Sequence, residues 1–436
     1  MSPALIRNTA KVSILTFASK LAGALKTIVI ARYFGSAGIL DAYLLAFLPI
    51  SFLADSISGS MMNALLPAYV EQTEQRGRSA ALTLYYGVQR RMFLGLVAVA
   101  VVLAVFAGPV LRLLATGFDQ EKIRATTNLM FLMLPILPLS ALNICWRASL
   151  NAEEHFAIAA ISPAMVPIFT VLALVTLTQA YGITSLAIGT VGGALIESLL
   201  LLYCVRGMGT PVIGRPGNSS AGLAGVFEQY LPAAGGSLVM NSSALVEQSM
   251  AAMLGPGSVA ILNYGTRLVT VLIAIGPTAV STVVLPWFSR FTARGDAAGL
   301  RRKILRYGLL GLGITVPATI ALIVGSHLLV RLLFERGAFT TADTASVAQV
   351  QDFALLRVPF SVLLALLIPL VASLRRNVLL LMVALFGIAA NVILSMLLMK
   401  PLGVAGLALS TTLVNLLMVV VLSGQLLRAP VVSGAR

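Results

Sequence analysis

The residues that could do chemistry in this chain are charges set in stretches that are otherwise apolar. Lys20 and Lys26 lie inside VSILTFASKLAGALKTIVIARYF, and Asp41 and Asp55 lie in the next apolar stretch. Glu197 stands in a third. Further on come Asn241, Ser243, Glu247 and Gln248, then Asn263, Tyr264 and Arg267, and finally Asp352 and Arg357. A charge at the centre of a bilayer costs roughly 2.5–3.5 kcal/mol on insertion scales, so it persists where it faces a wet cavity or a partner. Lys20, Lys26, Arg267 and Arg357 with balancing carboxylates point to a polar, cationic cavity suited to an anionic substrate. The plainer reading is ion pairing between helices plus snorkelling near helix ends. It competes most strongly at Lys26, Asp41 and Asp352, whereas function is favoured for Lys20, Asp55, Glu247 and Arg267. The candidate substrate-binding set is Lys20, Lys26, Asp41, Asp55, Asn241, Glu247, Gln248, Asn263, Arg267 and Arg357.

Spacing sorts these residues by helix face. Asn241 and Gln248, seven apart, share a face, as do Ser243 and Glu247, four apart; Asn263 and Arg267 are one turn apart. Lys20 and Lys26 are six apart and do not share a narrow face, but Gly23 between them permits a bend. Glu197 follows Gly189 and Gly193, a small-xxx-small spacing that reads as helix packing.

The elements that must position these residues follow from composition. The chain has 436 residues, 58% hydrophobic and only 10% charged. Soluble domains carry about 25% charged residues. Apolar stretches of about 20 residues, enough to cross a bilayer, recur throughout. The fold class is therefore an all-α polytopic membrane protein. Twelve spans are expected, at about 12–32, 42–70, 92–115, 125–149, 156–179, 183–205, 226–254, 259–288, 304–333, 347–373, 377–399 and 403–427. The Gly-, Pro- and Ser-rich run Arg206–Gly222 is the best linker. It divides the chain into an N-terminal six-helix lobe (1–206), a cytoplasmic linker (207–224) and a C-terminal six-helix lobe (225–436).

The net charge of +15 does not signify nucleic-acid binding, because the basic residues sort by loop. With the N-terminus inside, the inner segments hold 19 Lys and Arg, among them Arg76, Arg78, Arg147, Arg301, Arg302 and Arg306, and the outer segments hold 7, including Arg112, Lys122 and Arg331. Positive loops stay in the cytoplasm, so both termini are expected there, in the inner membrane. The first span reads as a retained helix and not a removed signal. Cys145 and Cys204 lie inside apolar segments, and His155 and His327 are far apart, so no disulfide framework or metal site is expected. There is no Gly-Lys-Ser/Thr P-loop, no Gly-x-Ser-x-Gly and no His-Glu-x-x-His. The expectation is no enzyme and no cofactor, but a monomeric secondary carrier coupled to membrane potential or a cation gradient.

An internal repeat supports the two lobes. Phe34–Tyr43 resembles Leu254–Tyr264, Leu65-Leu66-Pro67-Ala68-Tyr69 resembles Val284-Leu285-Pro286-Trp287-Phe288, and Leu111-Arg112-Leu113-Leu114 resembles Val330-Arg331-Leu332-Leu333. The last pair opens outer loops before spans bearing Pro138 and Pro359. Six spans per lobe give a parallel repeat about an axis along the membrane normal, an arrangement that transporters use with the site between the lobes.

The segment ASKLAGALKTIVIARYFGSAGILDAYLLAF followed by LLPAY resembles the first hairpin of the MurJ/MviN-type lipid II flippases of the MOP exporter superfamily. Leu262-Asn263-Tyr264-Gly265-Thr266-Arg267-Leu268 followed by VLP is similar to that family's eighth helix, and Leu332–Thr344 to its outer loop after the ninth. The resemblance implies a V-shaped central cavity and inward-to-outward transfer of an undecaprenyl-pyrophosphate-linked saccharide. It implies roles for Lys20, Lys26, Asp41 and Arg267. The family's first-helix arginines are lysines here, Ala54 and Asp55 stand where it has a basic pair, and its two further C-terminal helices lie beyond the twelve spans. Alternatives are a flippase for a lipid-linked exopolysaccharide or O-unit, and a MATE-like exporter of cationic drugs. The four basic residues within the spans weigh against the latter. A non-transporting membrane scaffold is opposed by the repeat.

Overall fold

The computed structural model describes residues 3–209, 220–273, 297–373 and 376–428. The expected spans are helices because a bilayer offers backbone groups no water, and only internal hydrogen bonding satisfies them. In order the helices are α1 (Pro3–Phe34), α2 (Gly38–Arg76), α3 (Arg78–Val105), α4 (Ala107–Leu114), α5 (Gln120–Met133), α6 (Ile136–Ala152), α7 (Phe156–Ile161), α8 (Met165–Tyr181), α9 (Thr184–Gly207) and α10 (Ser220–Ala252). They continue with α11 (Ser258–Ile273), α12 (Ala297–Val324), α13 (Ser326–Phe334), α14 (Thr341–Leu355), α15 (Arg357–Ser373), α16 (Asn377–Leu402) and α17 (Val404–Arg428). Among the described residues ten helical segments are long and apolar enough to cross a membrane. Helices α10 and α11 take the seventh and eighth places of the expected order. The end of the expected eighth span and the core of the 207–224 linker lie outside the described residues.

Several expected spans are two helices in series. The third is α3 followed by α4, broken at Phe106, and the fourth is α5 and α6, broken beside Pro135. The ninth is α12 and α13, broken at Gly325, and the tenth is α14 and α15, broken at Leu356 ahead of Pro359. Pro109, Pro138 and Pro359, each the third residue of its helix, cannot donate to the preceding turn; the break at Gly325 has no proline beside it.

Contacts divide the chain into two compact units, Met1–Leu245 and Val246–Arg436. The division falls inside α10. In the first unit α2 is the central element, packed on α3, α5 and α6, while α8 and α9 form a tight hairpin. The hairpin is tight because Gly189 and Gly193 admit the α8 backbone: a Cβ on either would lie 2.7 Å from Thr170 Cα or 2.6 Å from Val166 Cα. In the second unit α17 is packed on α14, α15 and α16, around Leu364, Leu367, Val371, Val383, Val419 and Leu422. Helix α11 lies against α14, where a Cβ on Gly265 would meet Val350 Cγ1 at 2.6 Å.

The two units repeat one another element by element. Gly35 and Gly255 both turn the chain at positive φ, at 53° and 114°. Gly182 and Gly403 do so again at 52° and 57°, joining α8 to α9 and α16 to α17. The short helices α4 and α13 each bury one aliphatic, Leu111 and Val330, and expose the arginine that follows. Their caps also agree in kind: Asp119 accepts from the Lys122 amide at the start of α5, and Thr340 forms a capping box with Asp343 at the start of α14.

Candidate functional site

Side chains from four helices build a charged cluster in the first unit. Helix α6 is held between α2 and α9 by small polar contacts: Ser58 Oγ donates to Ser140 Oγ at 3.2 Å, and Ser198 Oγ donates to Asn143 Oδ1 at 2.7 Å. One turn beyond Asn143, Arg147 lies within electrostatic reach of two carboxylates, Asp55 of α2 and Glu197 of α9. Glu197 is buried, 6% exposed, and accepts from Ser162 Oγ at 3.3 Å. Asp55 is exposed, as is Lys20 of α1, whose charge also acts on Asp55. Among the described residues Arg147 Nε is buried without a hydrogen-bond partner. Lys26 is half-buried two turns on from Lys20.

Asp41 is not part of this cluster. It is fully buried and forms an ion pair with Lys122 Nζ at 3.5 Å, and that ammonium also sits 3.7 Å from the centre of the Phe118 ring. The pair ties the start of α2 to α5. Asn241 donates through Nδ2 to Ser56 Oγ at 3.0 Å, and Ser237 shares a hydrogen bond with Ser60 at 2.9 Å. These contacts join α10 to α2 within the first unit. At the end that the charge pattern assigns to the cytoplasm, Glu153 accepts from Tyr69 Oη at 3.3 Å and pairs with Arg78 at 3.2 Å.

The second unit has its own charged residues within its helices. Thr411 Oγ1 donates to Glu247 Oε1, and Asn391 Nδ2 donates to Thr411 Oγ1 at 3.3 Å. Arg357 is the cation acting on Glu247. Gln248, beside it on α10, is half-buried. Arg267 of α11 differs. Its Nε is buried and has no hydrogen-bond partner among the described residues, and no ion pair within its unit joins it to a carboxylate. Asn263 lies one turn earlier on the same helix and is half-buried. Among the described residues Asp352 keeps one carboxyl oxygen buried without a hydrogen-bond partner.

Of the ten sequence candidates, Lys20 and Asp55 are gathered in one cluster and Glu247 and Arg357 in another. Arg267 has no ion pair to a carboxylate among the described residues. Asp41 and Asn241 are engaged in contacts that fasten helices together. The sequence had placed Arg147 among the loop charges that set topology, and Lys122 likewise. The signal that could have found Arg147 is the helical period running on through Asn151, which puts it on the same face as Asn143 and inside the span. Thr411 and Asn391 carry no charge and gave no signal.

The sequence model of the family described as "Lipid II flippase MurJ" matches residues 30–436. A protein of Rickettsia prowazekii named probable lipid II flippase MurJ is 25% identical over 418 residues, covering 94% of this chain and 81% of the relative. A Synechocystis protein of the same name is 28% identical over 420 residues, covering 93% and 78%. Among solved structures, "Lipid II flippase MurJ, inward closed conformation" superposes with a TM-score of 0.81 at 22% identity, over 95% of this chain and 87% of that one. An inward-facing MATE family multidrug resistance transporter of the MOP superfamily gives 0.77 at 12% identity, over 94% and 96%. At these identities the superpositions establish the fold.

Proposed function

We infer the activity from one premise: the chain belongs to the MurJ family of lipid II flippases. It carries lipid II, a polyprenyl-pyrophosphate-linked saccharide, from the inner to the outer leaflet of the cytoplasmic membrane by alternating access. The observation that supports this reading in the residues themselves is Arg267. A guanidinium on a membrane helix, with a buried Nε and no carboxylate paired to it among the described residues, is stabilised if an anion visits it or water reaches it. A pyrophosphate supplies that anion, and guanidinium groups match phosphate geometry with two parallel hydrogen bonds. Lys20 and Lys26 offer further positive charge as compact ammonium groups.

The reading extends to a monomer with both termini in the cytoplasm, to two six-helix lobes over 1–206 and 225–436 that alternate the access, and to energy drawn from membrane potential or a cation gradient. The test is complementation. The chain is expressed in cells depleted of their own lipid II flippase, and in cells lacking an exopolysaccharide flippase. Rescue of the first alone is expected. Rescue of the second alone would transfer the substrate to another lipid-linked glycan. Arg267→Ala and Lys20→Ala are expected to abolish rescue while expression holds, and normal growth with either variant would remove that residue from the site.

A further inference from the structure

Helix α12 presents an open face with charge at one end and aliphatic groups along the rest. Its apolar stretch, Leu305–Val324, is the least buried of the ten segments apolar enough to cross a membrane, at 11%. One side of α12 packs on α15: a Cβ on Gly308 would meet Leu363 at 3.5 Å, and one on Gly311 would meet Val362 at 2.9 Å. The helical period turns Arg302, Arg306, Leu309 and Gly313 to the other side. There a groove of 690 Å³ runs from Arg302 to Ile314, and among the described residues its whole lining comes from α12. Gly313 makes a notch in it, since a Cβ there would meet nothing within 4 Å. Leu305, Leu309 and Ile314 are 57%, 68% and 71% exposed. Arg302 and Arg306 are exposed and one turn apart at the start of the apolar stretch, and α12 has no acidic residue from Ala297 to Val324.

In the first unit the equivalent face is covered. Helices α3 and α12 are both 28 residues long, and they end at the same distance before Leu111 and Val330, so Gly87 corresponds to Arg306 and Arg91 to Leu310. The cover on α3 is the start of α10: Leu223 Cδ1 lies 2.8 Å from a Cβ placed on Gly87, and the Arg91 guanidinium sits 5.8 Å from the centre of the Phe227 ring. An arginine in the place of Gly87 excludes a leucine seated that way and adds a charge. The face of α12 therefore suits an occupant with an anionic head and an aliphatic body. We propose that it binds one anionic phospholipid of the leaflet that the charge pattern makes the inner one. The phosphate is held between Arg302 and Arg306, and one acyl chain lies along Leu305, Leu309 and Ile314 over the Gly313 notch. Guanidinium groups match phosphate with parallel hydrogen bonds, and basic residues at a helix end beside the bilayer surface attract anionic lipid. Snorkelling alone would bring the arginines to any headgroup; the notch beneath them selects a single bound molecule. The site is separate from the charged residues assigned to transport and does not depend on what the chain carries.

The experiment is native mass spectrometry of the purified full chain in detergent, with phosphatidylglycerol and phosphatidylcholine of the same acyl chains as probes. One phosphatidylglycerol per chain is expected to be retained in preference to phosphatidylcholine. Arg302→Gln and Arg306→Gln should each weaken that retention about fivefold, the equivalent of about 1 kcal/mol per charge near an anionic headgroup, and leave phosphatidylcholine unchanged. Gly313→Leu keeps both charges but fills the notch, and should weaken retention about fourfold for each methylene it displaces. Arg91→Gln, whose partner is Phe227, should change nothing. A phosphatidylglycerol carrying a photoactivatable diazirine in its acyl chain should attach between Leu305 and Ile314, and excess glycerol phosphate should not displace it. Equal retention of the two lipids overturns the proposal, as does wild-type retention in the double arginine variant or in Gly313→Leu. Attachment elsewhere, displacement by glycerol phosphate, or crosslinking of this face to residues after Arg428 or to a second copy also overturns it. Preferential retention of undecaprenyl pyrophosphate would make the face part of the transport route, and overturns it too. If the arginine variants do not fold, Gly313→Leu and the site of attachment decide alone.

Discussion

Glu247 and Arg357 act on each other electrostatically inside the second unit, without an ion pair among the described residues, and that attraction has a measurable size. Thr411 donates to Glu247, and Asn391 donates to Thr411. Arg357 keeps a buried Nε without a hydrogen-bond partner among the described residues, so Glu247 is its principal relief. Removing one member of a buried ion pair costs about 3–5 kcal/mol, because the survivor is left charged in a medium of low dielectric. Glu247 and Arg357 are half-buried and, among the described residues, not in ion-pair contact, which argues for a smaller cost of about 1–2 kcal/mol. For a unit of this size, 1 kcal/mol shifts Tm by about 2–4 °C. Glu247→Gln and Arg357→Met should therefore each lower the Tm of the solubilised protein by about 2–8 °C. The double variant leaves neither charge and should lose less than the sum, by a coupling of about 1 kcal/mol. Thr411→Val removes one donor and should cost about 1 kcal/mol. The assay is thermal unfolding followed by size-exclusion chromatography of the detergent-solubilised chain. If the two single losses simply add in the double variant, the pairing is not what holds these charges in the membrane, and the reasoning fails.

Two further outcomes follow from the packing. Gly193→Leu puts carbon into the α8 backbone, with Val166 Cα at 2.6 Å and its carbonyl oxygen at 2.9 Å from a Cβ, so it should destabilise by about 1–3 kcal/mol or prevent folding; Gly192→Ala, which meets nothing within 4 Å, should be neutral in the same chromatographic assay. Asp41→Asn and Lys122→Met should each lower Tm, and together by less than the sum, because each removes the same ion pair at the head of α2.

The spans were legible in the sequence because their signal is long and one-dimensional: about 20 apolar residues in a row need no knowledge of neighbours. The repeat was legible at the turns where glycine and proline recur, Gly35 with Gly255 and Pro138 with Pro359. It was not legible at Gly182 and Gly403, although the backbone there is the same to within a few degrees. Tyr-Gly-Ile-Thr and Leu-Gly-Val-Ala share only the glycine. The broken spans were read as continuous because hydropathy carries across Phe106 and Gly325 without a dip.

For the charged residues, depth along the helices was legible but direction was not. Lys20, Asp55, Glu247, Arg267 and Arg357 are expected inside spans; Lys20, Asp55 and Arg357 fall in helices long and apolar enough to cross a membrane, whereas Glu247 falls in α10, which is not one of the ten such segments, and Arg267 in the shorter apolar helix α11. Which of them meet is set by helix rotation and packing, fixed by contacts such as Ser198–Asn143 that no periodicity reveals. Asp41 illustrates the loss: its acidity within the first turn of α2 is visible, but its partner Lys122 is 81 residues away and looks like a loop charge. Arg147 illustrates the opposite error. Five residues from the end of α6, it counts as topology by position and as part of a charged cluster by the face it occupies.

The central claim is that this chain moves a pyrophosphate-linked lipid across a bilayer. The direct measurement uses the purified chain in proteoliposomes, with fluorescent lipid II in both leaflets and an impermeant quencher or a soluble glycosyltransferase added outside. The account predicts that inner-leaflet lipid II becomes accessible at a rate that scales with protein and is lost in Arg267→Ala. Accessibility equal to that of protein-free liposomes under every imposed potential and cation gradient, or equal rates for wild type and Arg267→Ala, would contradict it.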